Sequence, residues 1–311
     1  MTMSNKCERG ALITLDWGTT NVRAALLDKH GHVLEERRGE SGVGKYDRAQ
    51  FEQRFDQLTV GWPPVPAMAA GMVGSRQGWS EAAYLPCPAS INDLVQGLHE
   101  IAHEGRRIII VPGVKLDDGT RCDVMRGEES QLAGLLTQIS DFSGTVLMPG
   151  THSKWVSVKQ RTICNFYTYM TGDLFEAFSQ HSILRHSVDD STGNIEQFAE
   201  KARQLAKVTT SIEGEIFGLR ARHLLTNCSP ALLHQELSAL LIMGELRAGQ
   251  ADGFELEDEV LLIGSDVLTS LYQVALEAIG KRVKSIRGSG LVWPALFAMA
   301  CHAEIIEGVD A

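Results

Sequence analysis

Residues 11–23, ALITLDWGTTNVR, decide how this chain is to be read. An apolar run over 11–15 ends in Asp16, the polar segment Trp17-Gly18-Thr19-Thr20-Asn21 follows, and Val22, Ala24 and Leu26 resume strand alternation. This pattern predicts a tight β-hairpin. Gly18 lets the backbone turn and approach a ligand closely, and the N–H and hydroxyl groups of Thr19, Thr20 and Asn21 can converge on an anion, so the turn is a candidate phosphate cradle. Asp16, at the end of its strand, faces the same space and can hold a hydrated Mg²⁺ that bridges polyphosphate oxygens. Standing alone, the stretch also reads as an ordinary hairpin with a polar turn.

The pattern returns about 130 residues later, which points to a duplicated domain with one phosphate-binding turn in each half. A buried strand over 144–148 runs into Pro149-Gly150-Thr151-His152-Ser153-Lys154, and Trp155, Ser157 and Val158 continue as a second strand. Met148 stands where the first copy has Asp16, so only the first copy supplies a carboxylate to a metal. Lys154 either approaches phosphate or alternates with the inward face of its strand. In each half a third strand completes a meander, over 32–38 and over 161–169.

Between the hairpins the chain alternates helix and strand, the mark of an α/β fold. A helix is expected over 47–58, a buried strand over 67–70, an extended edge over 84–90, a helix over 91–103 and a strand over 107–111. The segment Gly71 to Trp79 is rich in glycine and carries Arg76, which either meets a substrate carboxylate at a strand's carboxyl end or is a surface arginine. Arg126, in a second glycine-flanked segment, is the other candidate for a carboxylate. Leu132, Leu135, Leu136 and Ile139 set a helical face, so Gly127, Glu128 and Glu129 lie at a helix N-terminus; there the acids either complement the helix dipole or serve chemistry. Asp173 opens a helix running through 178 and has the same two readings. Further helices are expected over 194–206, 212–225 and 232–247. After a strand over 259–263, the small residues Gly264 and Ser265 let a flat ring such as adenine pack on backbone. A turn over 285–290 precedes a last helix over 291–302.

A net charge of −10 over 311 residues argues against nucleic acid, which needs a basic face. A hydrophobic fraction of 44% with 22% charged residues is that of a globular chain of about two domains. Six scattered cysteines without a C-x-x-C pair suit neither a zinc site nor a disulfide framework. The first ten residues lack an apolar signal core, and no stretch reaches the roughly 18 apolar residues of a membrane span. The expectation is a cytoplasmic protein with no membrane partner; a homodimer stays open.

Several segments carry a resemblance. Asp16 to Arg23, Ala70-Gly71-Met72-Val73-Gly74-Ser75, Val124 to Glu129, Met148 to Trp155 and Thr171-Gly172-Asp173-Leu174, in that order, resemble the motif set of the 2-dehydro-3-deoxygalactonokinase family. This is a sugar-acid kinase family of the superfamily that includes actin, Hsp70 and hexokinase. The resemblance implies a two-lobed actin-like ATPase (ribonuclease H-like) fold, with a duplicated mixed sheet flanked by helices and a cleft between lobes. It also implies ATP-dependent phosphorylation of the 6-hydroxyl of 2-dehydro-3-deoxy-D-galactonate in galactonate catabolism, with ATP, Mg²⁺ and a small sugar acid as partners. The expected lobes are residues 1–125, holding the first phosphate turn and the sugar acid, and 126–290, holding the second turn and adenosine, with 291–311 packing back on the first.

Related sugar kinases place the general base, an aspartate, after a glycine at the start of the helix before the second phosphate turn. Glu128 occupies that place here, with Glu129 as its alternative. Many members of the superfamily also carry an aspartate in the second phosphate turn; this chain has Pro149-Gly150-Thr151-His152, which leaves Asp16 for the metal. Two other readings compete: a phosphohydrolase of the exopolyphosphatase type and a non-enzymatic actin-like module. No G-x-x-x-x-G-K-[ST] motif occurs, which sets a Walker-type kinase aside.

Overall fold

The computed structural model describes residues 9–39, 47–189, 193–208 and 211–306. Cys7, the leader expectation and the tail beyond 306 lie outside these residues. The chain divides into two compact units: one holds the described residues up to Ser143, then 159–165 and those from Gly288 onward, and the other holds Gly144–Val158 and Phe166–Arg287.

In the first unit β1 (Gly10–Trp17), β2 (Val22–Asp28) and β3 (Val33–Gly39) form an antiparallel meander. Gly31, at φ +81°, makes the second turn. β4 (Ala67–Gly71) lies parallel to β1 on its other side, and all five of its residues are buried. Past the short β5 (Tyr84–Pro86) and β6 (Ala89–Ser90) come β7 (His99–His103) and β8 (Arg106–Ile110), giving a sheet of order β3-β2-β1-β4-β8-β7. A strand flanked on both sides and covered on both faces must be apolar throughout, and Leu12, Ile13 and Leu15 of β1 are sealed accordingly. Trp17, Phe51, Phe55 and Trp79 pack beside them. A small second sheet joins β9 (Gly113–Asp117) to β10 (Cys122–Met125) and β5.

The second unit repeats the plan. β11 (Gly144–Met148), β12 (Ser153–Lys159) and β13 (Thr162–Tyr169), the last with its residues up to 165 counted in the first unit, form a meander, and β14 (Glu259–Gly264) and β15 (Arg282–Arg287) add on in parallel, in the order β15-β14-β11-β12-β13-β6. Helices Ile195–Leu205, Pro230–Ala251 and Asp266–Ala278 bury Phe198, Leu237, Leu241 and Leu276 in a core of their own.

The structure departs from the sequence reading in a few places. The helix expected over 91–103 stops at Gln96 and gives way to β7, because His99-Glu100-Ile101-Ala102-His103 alternates at strand period. The turn expected at 285–290 is in its first part β15, an edge strand whose exposed Arg282, Lys284, Ser285 and Arg287 hide the pattern. The helix from Thr171 is regular only to Glu176 and continues as a wider turn over Ala177–His181. The contact boundary falls at 143/144 where the sequence reading put 125/126. Helix Glu128–Gln138 packs on helix Val292–His302 inside the first unit, with Gly134 so close to the Leu291 carbonyl that a side chain there would collide.

Candidate active site

In the first unit the site is built at the carboxyl ends of β1 and β4. The hairpin register sets Asp16 opposite Arg23, and the guanidinium donates from Nη2 to Asp16 Oδ2 at 2.5 Å. Arg23 also donates to the Ser289 carbonyl at 3.4 Å and lies over the Trp293 ring. Sequence reasoning passed over Arg23; the signal was an acid and a base at matched distances from a hairpin turn, which face each other across the ladder. The turn closes through Gly18 N–H to the Asn21 carbonyl at 2.9 Å. Thr19 and Thr20 are exposed, and among the described residues neither N–H is engaged, as an anion cradle requires.

Two glycines bring the helix of Glu128 to this strand end. Gly71 has φ +92°, and a Cβ on it would lie 2.8 Å from the Trp17 carbonyl. Gly127 has φ +108°, and its Cβ would lie 3.5 Å from Gly71 Cα. The backbones of Trp17, Gly71 and Gly127 are therefore layered, and Asp16 and Glu128 are each next to one of them in sequence.

The two adjacent acids differ. Glu129 is sealed: its carboxylate accepts from Gly127 N–H at 2.7 Å and from the Ser130 hydroxyl at 3.1 Å. Burial, then the charge of Glu128, pushes its carboxyl up to about 8. Glu128 is partly exposed and accepts from Arg126 N–H at 3.1 Å. Of the pair, only Glu128 presents a carboxylate to the outside.

The two arginines expected to act alike are in opposite states. Arg76 is 83% exposed at its side chain and sits 3.6 Å from Glu81. Arg126 is buried, stacked on the Tyr84 ring at 4.2 Å, and donates to the Ala82 carbonyl at 2.7 Å and the Tyr84 hydroxyl at 3.3 Å. Its Nη1, against Gly74, has no hydrogen-bond partner among the described residues.

In the second unit the turn Gly150-Thr151-His152 is tied to the helix starting at Thr171. Gly172 and Asp173 N–H groups both donate to the Thr151 carbonyl, at 3.1 and 3.2 Å, and His152 Nε2 meets Asp173 Oδ2 at 2.6 Å. The N–H groups of Gly150 and Thr151 are unengaged among the described residues. Lys154 is buried opposite Met148, and its ammonium donates to the His152 carbonyl at 3.4 Å. Gly264 abuts the turn, its Cβ position 3.4 Å from the Pro149 carbonyl. Beside the exposed Ser265, Asp266 and Arg287 form a paired-oxygen ion pair at 2.7 and 2.8 Å.

Asp16 has one oxygen in the Arg23 bridge, and its Oδ1 has no partner among the described residues. A single free carboxylate oxygen suits a metal that keeps most of its water, as Mg²⁺ does. The one group of three metal-capable side chains among the described residues, Asp56, His103 and Glu104, does not include it.

A profile of the 2-keto-3-deoxy-galactonokinase family matches residues 16–299. The chain belongs to this family. It is thus a phosphotransferase with an alcohol acceptor, and neither the hydrolase nor the non-enzymatic reading finds support. Among relatives of the galactonokinase family, a protein of Rhizobium meliloti (strain 1021), named as a probable 2-dehydro-3-deoxygalactonokinase, DgoK1, is 35% identical over 297 residues, covering 94% of this chain and 97% of that one. The Escherichia coli (strain K12) 2-dehydro-3-deoxygalactonokinase is 33% identical over 278 residues, covering 89% and 92%. A crystal structure of a Sinorhizobium meliloti protein given the same kinase name matches with a TM-score of 0.85 at 33% identity, over 94% of this chain and 96% of that one. The activator of 2-hydroxyisocaproyl-CoA dehydratase from Clostridium difficile matches at TM-score 0.52 and 12% identity over 96% and 99%, a likeness of fold alone. The architecture is the two-lobed actin-like ATPase fold. No helix among the described residues is long and apolar enough to cross a membrane.

Proposed function

We propose that the chain transfers the γ-phosphoryl group of ATP to the 6-hydroxyl of 2-dehydro-3-deoxy-D-galactonate in galactonate catabolism, in the cytoplasm and without nucleic-acid or membrane partners. The observation that supports this reading is the layered Trp17-Gly71-Gly127 backbone, beside which Asp16 ends its strand and Glu128 starts its helix. In this reading the attacking oxygen bonds to phosphorus, the bond from phosphorus to the bridging oxygen of ADP breaks, and Glu128 takes the hydroxyl proton. A carboxylate within reach of that proton contributes about 10²–10⁴-fold. Glu129, sealed and with its carboxyl pushed up to about 8, holds the helix start instead.

Asp16 positions Mg²⁺ through water, and the metal when bound neutralises phosphate charge. Gly18, Thr19, Thr20 and Asn21 in one turn, and Gly150, Thr151, His152 and Lys154 in the other, receive phosphate oxygens; Gly264 and Ser265 line the adenine. The sugar-acid carboxylate falls to Arg76 or Arg126. Exposure favours Arg76, and Asp173 orients the sugar hydroxyls. The test is ADP release measured against a panel of 2-keto-3-deoxy sugar acids with a water-only control. Release that requires the galactonate-derived acid is expected; equal release in water alone would overturn the reading.

A further inference from the structure

Helix Pro230–Ala251 looks like pure core, with Leu233, Leu237, Leu240 and Leu241 turned inward. One turn beyond Leu241, on the same stripe, stands Glu245, only 3% exposed. Oε1 accepts from Trp155 Nε1 at 2.8 Å, and Oε2 accepts from the Tyr272 hydroxyl at 2.5 Å and from the Thr171 hydroxyl. Tyr272 in turn shares a hydrogen bond of 2.9 Å with the Ser153 hydroxyl. Burial raises the Glu245 pKa, and these hydroxyl and indole bonds pull against the rise.

An apolar residue would fill this place at less cost, since a buried carboxyl must be fully hydrogen-bonded to be tolerated. What the carboxyl obtains is a set of fixed directions. Ser153 and Trp155 carry the Gly150-Thr151-His152 turn into β12, Thr171 opens the helix whose next two N–H groups hold the Thr151 carbonyl, and Tyr272 lies on the helix that follows Gly264 and Ser265. Every segment that bears a candidate nucleotide contact in the second unit is thus tied to one acid.

We infer that Glu245 is the positioning residue of the nucleotide half-site, holding the Thr151 turn in the shape that receives phosphate oxygens by accepting from Trp155, Thr171 and Tyr272. This rests on the assignment of ATP to the second unit. Glu245→Gln keeps the volume but faces an NH₂ toward hydroxyl donors. Titration calorimetry should show MgADP bound about tenfold more weakly, with the KM for ATP raised in parallel. A packing role alone would lower the melting temperature and leave MgADP affinity intact.

Thr171→Val and Tyr272→Phe should each weaken MgADP by about threefold, and neither should add its full effect to Glu245→Gln, because all three act through one carboxylate. Thr171→Val also serves if Glu245→Gln does not fold. A wild-type chain that binds no MgADP would sink the nucleotide assignment itself. Wild-type affinity in folded Glu245→Gln, in Thr171→Val where that variant alone folds, or full additivity, would overturn the role of Glu245.

Discussion

Asp16 and Glu128 are each predicted to fail in a distinct way. Asp16→Asn should leave secondary structure unchanged by circular dichroism while kcat collapses, because phosphoryl transfer depends on placed charge. Near-normal kcat in a folded variant would remove Asp16 from the mechanism. Glu128→Gln should keep substrate KM values and lose about 10²–10⁴ in kcat, whereas Glu129→Gln should lose far less. Glu129 should show itself in stability instead. Its folded pKa, about 8, lies above that of an unfolded glutamate. The folded state therefore holds a proton that the unfolded state releases, so the contribution is full below about pH 4.3 and is lost as pH rises through 8. Urea melts between pH 5 and 8 should show wild-type stability falling relative to Glu129→Gln; parallel curves would mean that Glu129 titrates normally. The sequence ranked Glu128 ahead of Glu129, but the sealing of Glu129 was not legible, since the two are neighbours of one type and only the helix phase buries one of them.

At the scale of elements, most strands were legible because their apolar residues alternate or run unbroken, as in β1, β4 and β11. What escaped was set by contacts between segments distant in the chain. β9 and β10 carry Lys115, Asp117, Asp123 and Cys122 and show only their turn, and Glu245 could be suspected only as an acid among leucines. Gly71 and Gly127 were visible as letters, but their function as spacers was not. Gly71→Ala would place a methyl 2.8 Å from the Trp17 carbonyl on a backbone at φ +92°. It should cost about 1–3 kcal/mol of stability and, in the fraction that folds, lower kcat by displacing the helix of Glu128 from Asp16. Thermal melts and steady-state kinetics read the two effects separately; a variant with unchanged kcat would show that the close approach serves packing alone.

For the molecule as a whole, the two sheets share a topology of meander followed by two parallel strands, yet their turns have different chemistry. Asp16 faces Arg23 in one hairpin, and Met148 faces Lys154 in the other. The duplication was readable from the two Gly-Thr turns, but the unit boundary was not, because helix Glu128–Gln138 packs with residues more than 150 positions away in sequence. Hydrogen exchange should divide along this line. MgADP is expected to protect amides around 150–155 and 264–272, and the sugar acid alone those around 71–76 and 126–129; protection in the reverse pattern would exchange the two assignments.

The first unit is also closed by the last helix among the described residues, Val292–His302, which packs on β1, β4 and helix Glu128–Gln138. During synthesis every residue of the second unit leaves the ribosome before that helix does, so the half carrying Asp16 and Glu128 begins first and is completed last. A stalled or prematurely stopped chain would therefore present a finished second core beside an unfinished first one, with the apolar face of β4 and of the Glu128 helix left for chaperones to cover.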